Sequence, residues 1–412
     1  MATRQDAVLL PRGARAIPSQ LYFLLSSLNG GSQGLVTVTL GYMLANHGFS
    51  VAAVSGIVAL RFLPETWRVL AGPLLDLSLD ARRWYMLSAV GAALCAGGFA
   101  LVPLQPAWGP LIGMLALAIG IFSNCAVVAQ AAAIGVTTRI EERGPIAGWS
   151  QAGNLAGVGV GGGFGLWLAA HVGMAAAAAT VAAWFLICCL PMLTMRTPRA
   201  AAGEPLRAVL KGLRGVLATF ASTRHGMLTM LAVTLPMGLG SFLSLLSAVS
   251  GEWHASADLT ASTTGLLAGL ASIPGCLAGG ALCHRHPPQI VLAGSGVVCA
   301  LGELAMAMGP RTPFAFVAFS LLNNLLLGVA WAAVAAVTFV GLQDKGCGTI
   351  GGLLGSLCNV PVVIMTIILG QAQAHYGATG MMLIEAAFGV VSGIVYGLVA
   401  WHPAIDRRLA AA

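Results

Sequence analysis

Charge is scarce in this chain: Asp, Glu, Lys and Arg make up 8% of its 412 residues, where a soluble globular chain carries about 25%. A surface that poor in charge could not be wetted, which excludes a soluble globular protein. The nine cysteines stand singly or as the adjacent pair Cys188 and Cys189. They show none of the CxxC or Cys/His spacing of metal or redox centres, so they read as small core residues and no metal site is expected. No GxxxxGK[ST] loop is present, which excludes ATP hydrolysis within the chain. The eight histidines, among them His47, His171, His225, His254, His284 and His286, fall at the ends of apolar runs or between them. A buried histidine relay is therefore not expected, and no cofactor is implied. Met227, Met230 and Met237 sit in one apolar run, but no thiolate or imidazole joins them at ligand spacing, and gap-filling accounts for them better than a soft-metal path.

What is abundant is apolar sequence. Hydrophobic residues make up 58% of the chain and the mean hydropathy is +0.88. Uncharged runs of about 20 residues or more, enough to cross a hydrocarbon core as a helix, recur along the whole length. Spans are expected near 18–45, 50–75, 84–104, 108–136, 145–170 and 173–195, then near 226–250, 260–283, 289–308, 312–342, 347–373 and 378–401. The fold class is thus all-α and membrane-embedded: twelve transmembrane helices in two six-helix bundles. The expected division is residues 1–195 for the first bundle, 196–224 for a linker and 225–412 for the second bundle. In the linker Arg199, Arg207, Lys211 and Arg214 punctuate Leu206, Val209, Leu210, Leu213 and Val216, the pattern of an amphipathic helix on the membrane surface.

The net charge of +7 marks topology, not a nucleic-acid partner. With the N-terminus inside, the cytoplasmic segments hold Arg82, Arg83, Arg139, Arg143, Arg285, Lys345, Arg407 and Arg408, while the opposite side keeps Arg311. By the positive-inside rule the protein is a multi-pass protein of a bacterial-type inner membrane with both termini cytoplasmic. Arg4, Arg12 and Arg15 precede an uncleaved first helix and not a cleaved signal, because the run is too long and lacks a small-residue cleavage site. Six plus six helices with partly shared features suggest an internal repeat. Glycines crowd span five (Gly153, Gly157, Gly159, Gly161, Gly162, Gly163, Gly165) and open its counterpart, span eleven (Gly346, Gly348, Gly351, Gly352, Gly355). Both clusters are expected to permit close packing between the bundles.

Charges inside a span are the exceptions that carry function. Arg61, Glu65 and Arg68 stand at offsets of four and seven in span two, on one helical face, and each costs about 2.5–3.5 kcal/mol to insert. Glu65 can neutralise one arginine but not both. The remaining positive charge either binds an anionic group of a solute or belongs to an internal ion-pair network. Glu65 is also the first candidate for coupling to a proton gradient. Pro64, in the same helix, removes a backbone hydrogen bond and should kink it. Glu303 and Glu385 are isolated acids in spans nine and twelve; either could couple protons, and either could be hydrogen-bonded at a helix interface.

After Arg68, the run Gly72-Pro73-Leu74-Leu75-Asp76 followed by Arg82 and Arg83 resembles the loop between helices two and three of the major facilitator superfamily. The resemblance implies that Asp76, with Arg82 and Arg83, takes part in a charge network gating the cytoplasmic side. The chain departs from the pattern by lacking a basic residue directly after Asp76 and by including Asp80. Leu63, Pro64, Trp67, Arg68, Pro73, Leu74 and Asp76, with Trp149, Gln151, Gly153 and Asn154, resemble signatures of AmpG-type muropeptide permeases, acetyl-CoA transporters and bacterial siderophore permeases. The superfamily layout also implies that several polar residues face a cavity. Asn29, Gln33 and Asn124 are the leading candidates among a set that includes Gln130, Asn154, Asn323, Asn324 and Asn359.

The expected function is therefore not enzymatic: a secondary carrier, expected to be a monomer, that imports an anionic organic solute by alternating access, driven by the proton gradient. A siderophore or its iron complex leads. A muropeptide or another acyl conjugate comes next, and drug efflux third, because Val158 stands where the antiporter motif has proline. A non-transporting membrane receptor is the alternative of a different class.

Overall fold

The computed structural model describes residues 16–197, 214, 215, 218, 220–238, 240–342 and 346–400. The amphipathic stretch around Leu206 to Leu213, and the basic residues Arg4, Arg12, Arg15, Arg199, Arg207, Lys211, Lys345, Arg407 and Arg408, lie outside these residues, as does the side chain of Asp76.

Twelve helices are built from the described residues. The first six are α1 (19–46), α2 (51–77), α3 (Ala81–Gly98), α4 (Pro106–Thr137), α5 (143–171) and α6 (Met174–Thr194). The second six are α7 (224–249), α8 (Asp258–Arg285), α9 (Pro288–Met308), α10 (Pro313–Val340), α11 (347–376) and α12 (378–400). The last two run on without a loop and are separated by Gly377, whose φ of 65° and ψ of −169° no helical residue adopts. Loop residues start the helices by satisfying free N–H groups. The side chains of Ser50, Asp80, Thr223, Ser256 and Thr312 each accept a backbone N–H of the helix that follows.

Two spans are interrupted where proline and glycine demand it. In α2 the regular helix stops at Thr66 and resumes at Arg68, and Trp67 takes φ −114°, ψ 23°. The break falls three residues after Pro64, with Pro73 inside the second piece. In α7 the helix ends at Thr234 and restarts at Ser241. Pro236 interrupts the hydrogen-bond ladder there, and Gly238 and Gly240 adopt left-handed backbone with φ of 63° and 64°, a conformation open to glycine at no steric cost. Three further helices carry a π-helical turn: 35–40 in α1, 159–164 in α5 and 263–267 in α8. Those of α1 and α5 meet, and the Thr39 hydroxyl donates to the Gly161 and Gly162 carbonyls at 2.7 and 3.0 Å.

Glycine lets these backbones approach. Gly153, Gly157 and Gly161 of α5, spaced one turn apart, lie against the Phe23, Ser27 and Gly31 carbonyls of α1, and Gly30 and Gly34 of α1 answer against Asn154 and Val158. A Cβ at any of these five positions would run into backbone. The span-five cluster thus packs within its own bundle, which corrects the expectation that it joins the two bundles. Spacing shows that a close neighbour exists but not which helix supplies it. The glycines of α5 that cross over are at its start, Gly144 against Cys283 and Gly148 against Gly280 of α8, with Ala152 packed on Cys276 and Ala332 just beyond. Span eleven behaves as expected: Gly352 meets the Arg68 carbonyl and Val69, and Gly348 meets Gly72.

Candidate functional site

The break at Trp67 divides the three charges of α2 into two environments. Arg61, in the first piece, is fully buried. Its Nη1 donates to Glu65 Oε1, and its Nη2 donates to the Asn29 carbonyl at 3.2 Å, Asn29 Oδ1 at 3.0 Å and Ser32 Oγ at 2.9 Å. Asn29 passes the network on, its Nδ2 donating to Asn154 Oδ1 at 3.1 Å. Arg61 therefore ties α2 to α1 and, through Asn29, to α5. Its backbone also packs against Gly120 of α4.

Arg68 opens the second piece and is held differently. Its Nε donates to Asn124 Oδ1 at 2.6 Å, and Asn124 Nδ2 donates to the Pro64 carbonyl at 3.1 Å. Asn124 thus braces the proline-weakened segment and aims the guanidinium at once. The Glu65 carboxylate comes only to 3.9 Å from Arg68 Nη2, because its other oxygen is committed to Arg61. The Arg68 guanidinium lies along Gly355 of α11, where an added Cβ would come within 2.8 Å of Nη1. Its side chain keeps 11% exposure and Glu65 18%. One further bond from the same turn crosses between bundles, Val69 N–H to Ser356 Oγ at 3.1 Å. Two arginines against one carboxylate leave one net positive charge, centred on the guanidinium with spare donors at the seam between the halves.

The remaining polar candidates divide clearly. Asn29 and Asn124 join the charged set. Gln33 makes no side-chain hydrogen bond among the described residues; its carbonyl accepts from Thr37. Gln130 is buried and donates to Ser26 and Ser150 Oγ at 2.7 and 3.2 Å, fastening α4 to α1 and α5. Asn323 donates to the Gly302 carbonyl at 3.3 Å, tying α10 to α9, whereas Asn324 and Asn359 bond back to their own helices.

Of the three residues tied to gating, the structure describes two side chains. Arg83 lies 3.8 Å from Asp80 and is 57% exposed, and Asp80 also caps α3 through the Arg83 N–H. The backbone N–H of Arg82 faces Thr197 Oγ1 at 3.4 Å. A buried cation that the sequence marked only as a topology signal does more here. Arg143, in the first turn of α5, sends Nη1 to the Phe339 and Leu342 carbonyls at 2.7 and 3.0 Å and Nη2 to the Gly135 and Thr138 carbonyls at 3.1 and 3.5 Å. It thereby caps the C-termini of α4 and α10, whose last carbonyls have no partner within the helix, and it joins one bundle to the other. The sequence signal that could have found it is its place directly before Gly144-Pro145, where a helix start brings a cation beside the end of the preceding helix.

These inter-bundle contacts share one location. Among the described residues, every glycine that touches the other bundle (Gly72, Gly135, Gly144, Gly148, Gly280, Gly351, Gly352 and Gly355) lies in the half of its helix nearer the basic loops. Arg68 sits at the inner limit of that closed region.

The sequence of residues 22–366 matches the profile of the Major Facilitator Superfamily. The chain belongs to the major facilitator superfamily. It is accordingly a multi-pass membrane transporter and not an enzyme. Solved structures agree on the fold. The human organic anion transporter MFSD10 (TETRAN) superposes with a TM-score of 0.69 at 18% identity, covering 92% of this chain and 98% of that one. The Escherichia coli fucose:proton symporter FucP gives 0.69 at 15% identity over 92% and 97% of the two chains, and FucP in an outward conformation gives 0.71 at 16% over 93% and 98%. The proton:xylose symporter XylE gives 0.67 at 15% over 91% and 94%. No curated protein matches the chain in sequence.

Proposed function

We propose that this superfamily member imports an anionic organic solute, such as a siderophore or its iron complex, into the cytoplasm by alternating access coupled to the proton gradient. The observation that carries the reading is the Arg68 guanidinium. Neutralisation by Glu65 is spent on Arg61, Asn124 fixes the orientation of Arg68, and its remaining N–H donors stand at the meeting of α2 and α11. A planar guanidinium with spare parallel donors suits a carboxylate or another oxyanion. Asn124 supplies an amide beside it, and Asn29 and Gln33 of α1 are the further amides of this reading. That MFSD10 is an organic anion transporter, and that FucP and XylE are proton symporters, supports the solute charge and the coupling.

In this reading the basic end is cytoplasmic, the membrane is a bacterial-type inner membrane with both termini on the cytoplasmic side, and the protein works as a monomer. Residues 1–195 and 225–412 are the moving bundles and 196–224 the linker. The structure then corresponds to the state open to the outside, because the close inter-bundle glycine contacts, with Arg68 and Arg143, lie in the cytoplasmic half. Arg143, together with Asp76, Arg82 and Arg83, guards that side. Glu65 is the coupling acid: one of its oxygens is engaged by Arg61, and solute binding at Arg68 changes its electrostatic environment.

Proteoliposomes test this directly. With a ferric carboxylate siderophore outside and an acid-outside gradient, the wild-type protein should accumulate the complex, whereas Glu65→Gln should still exchange it in counterflow yet fail to concentrate it. Accumulation by Glu65→Gln equal to wild type would move coupling elsewhere, and no counterflow by the wild-type protein with any anionic solute would reject the reading.

A further inference from the structure

The second bundle contains a carboxyl pair that the reading above does not use. Glu385 of α12 is 5% exposed and reaches into the break of α7, where both its oxygens are occupied: Oε1 accepts the Ser241 N–H at 2.6 Å and Oε2 the Phe242 N–H at 2.7 Å. These are the first free N–H groups of the nine-residue helix Ser241–Val249. Backbone donors and the positive helix end both favour the charged form of a carboxyl in that position. Its titratable neighbour is Glu303 of α9: Gly389, one turn on from Glu385, packs on Gly296 and on Ala300, the latter one turn before Glu303. Glu303 is 3% exposed, and its Oε2 is buried without any hydrogen-bond partner.

Among the described residues no cation compensates the two. From α7 the pair meets the N–H groups of Ser241 and Phe242; from α10 the nearby polar side chain is Asn323, whose amide is bonded to the Gly302 and Phe319 carbonyls. Within α9 the titratable neighbour is Cys299. Neither carboxyl is in an ion pair among the described residues. Two adjacent carboxyls in a dry site cannot both ionise, and only Glu385 has backbone donors from α7 to hold a negative charge. The other therefore carries a proton.

The same place is mechanically weak. The α7 break at Pro236, Gly238 and Gly240 packs on the α9 turns preceding Glu303: a Cβ on Gly238 would lie 3.4 Å from Cys299 Sγ and 3.5 Å from Gly296. Discontinuous helices with free termini are where transporters hold coupling ions.

We propose that Glu303 and Glu385 form a one-proton site at the junction of α7, α9 and α12, whose occupancy sets the position of the second piece of α7. With the proton on Glu303, Glu385 keeps its grip on Ser241 and Phe242. When the O–H bond of Glu303 breaks and the proton passes to water, two like charges face each other and the grip loosens. The site is distinct from Glu65. The inference rests on the transporter reading for its purpose, but the test needs no solute, so it can fail or succeed independently of the uptake experiments.

Full-length protein in lipid nanodiscs should show, in infrared difference spectra between acid and alkaline buffer, a carboxylic-acid carbonyl band that disappears with alkalinisation and is missing in Glu303→Gln. Hydrogen exchange at residues 241–242 should accelerate at least tenfold over the same interval in the wild type and stay slow in Glu303→Gln, whose neutral amide mimics the protonated acid. Should Glu303→Gln not fold, Glu303→Asp keeps the acid and should shift the band. A band unchanged in Glu303→Gln or Glu303→Asp, or exchange at 241–242 independent of pH, overturns the proposal. So does sodium added at constant acid pH if it reproduces the effect of alkalinisation, since the site would then take a metal cation.

Discussion

Replacing Arg61 by alanine should destabilise the folded protein by about 3 kcal/mol, the lower part of the range for breaking a buried ion pair from one side. The loss is large because one guanidinium serves Glu65, both oxygen atoms of Asn29 and Ser32, so truncation leaves a carboxylate and three other acceptors without their donor. It falls short of the upper range because Glu65 retains 18% exposure and Arg68 stands 3.9 Å away. Arg61→Lys should recover part of the loss at most, since a compact ammonium cannot reproduce a fork that spans two helices. Unfolding titrations in mixed micelles read the effect. A well-folded Arg61→Ala protein with wild-type stability would show that the network is incidental to the fold.

Arg143→Ala should act on the opening equilibrium instead. Two of its hydrogen bonds reach carbonyls of the other bundle, at Phe339 and Leu342, and bonds to a charged donor contribute about 1.5–3 kcal/mol each. Removing both takes about 3 kcal/mol or more from the closed basic end, a shift on the order of 100-fold in the ratio of closed to open states. Native cysteines report it. Cys347 packs against Gly135 and Cys283 against Gly144, and both are buried. In membranes, a thiol reagent followed by mass spectrometry should label Cys347 and Cys283 slowly in the wild type and many-fold faster in Arg143→Ala, while the melting behaviour shows that the variant is folded. Equal labelling would mean that Arg143 caps two helices without holding the bundles together.

The contrast between these arginines shows what the sequence could and could not reveal. Span positions were legible because apolar run length is a local property, and eleven of the twelve spans fall within a few residues of their expected limits. The third, expected to reach 104, ends at Gly98, where a turn replaces the last helical residues. The face shared by Arg61, Glu65 and Arg68 was legible for the same reason: it needs only the helical repeat. Which arginine Glu65 would serve was not, because that depends on Asn29, Ser32 and Asn124 arriving from other helices. The kink expected at Pro64 appears at Trp67, where the Pro64 carbonyl takes the Asn124 amide as its donor. The Pro-x-Gly-x-Gly run at 236–240 did carry a readable break signal. That Glu385, nearly 150 residues later, would cap the restarted helix is tertiary information. Arg143 looked like any other cytoplasmic basic residue, because its place before Gly144-Pro145 marks a helix start but not the remote carbonyls that its side chain reaches.

The central claim is that Arg68 meets the anion of the solute, and affinity measured alongside stability on one preparation tests it most directly. Wild-type, Arg68→Lys and Arg68→Ala proteins would be titrated with the carboxylate siderophore complex. If the guanidinium grips the solute, Arg68→Ala should melt like the wild type and bind at least tenfold more weakly, a loss of about 1.4 kcal/mol. Arg68→Lys, keeping the charge but not the paired donors, should lie between the two. Unaltered binding by a well-folded Arg68→Ala protein would contradict the account, as would a variant destabilised with and without solute, which would make Arg68 a structural partner of Glu65 and Asn124.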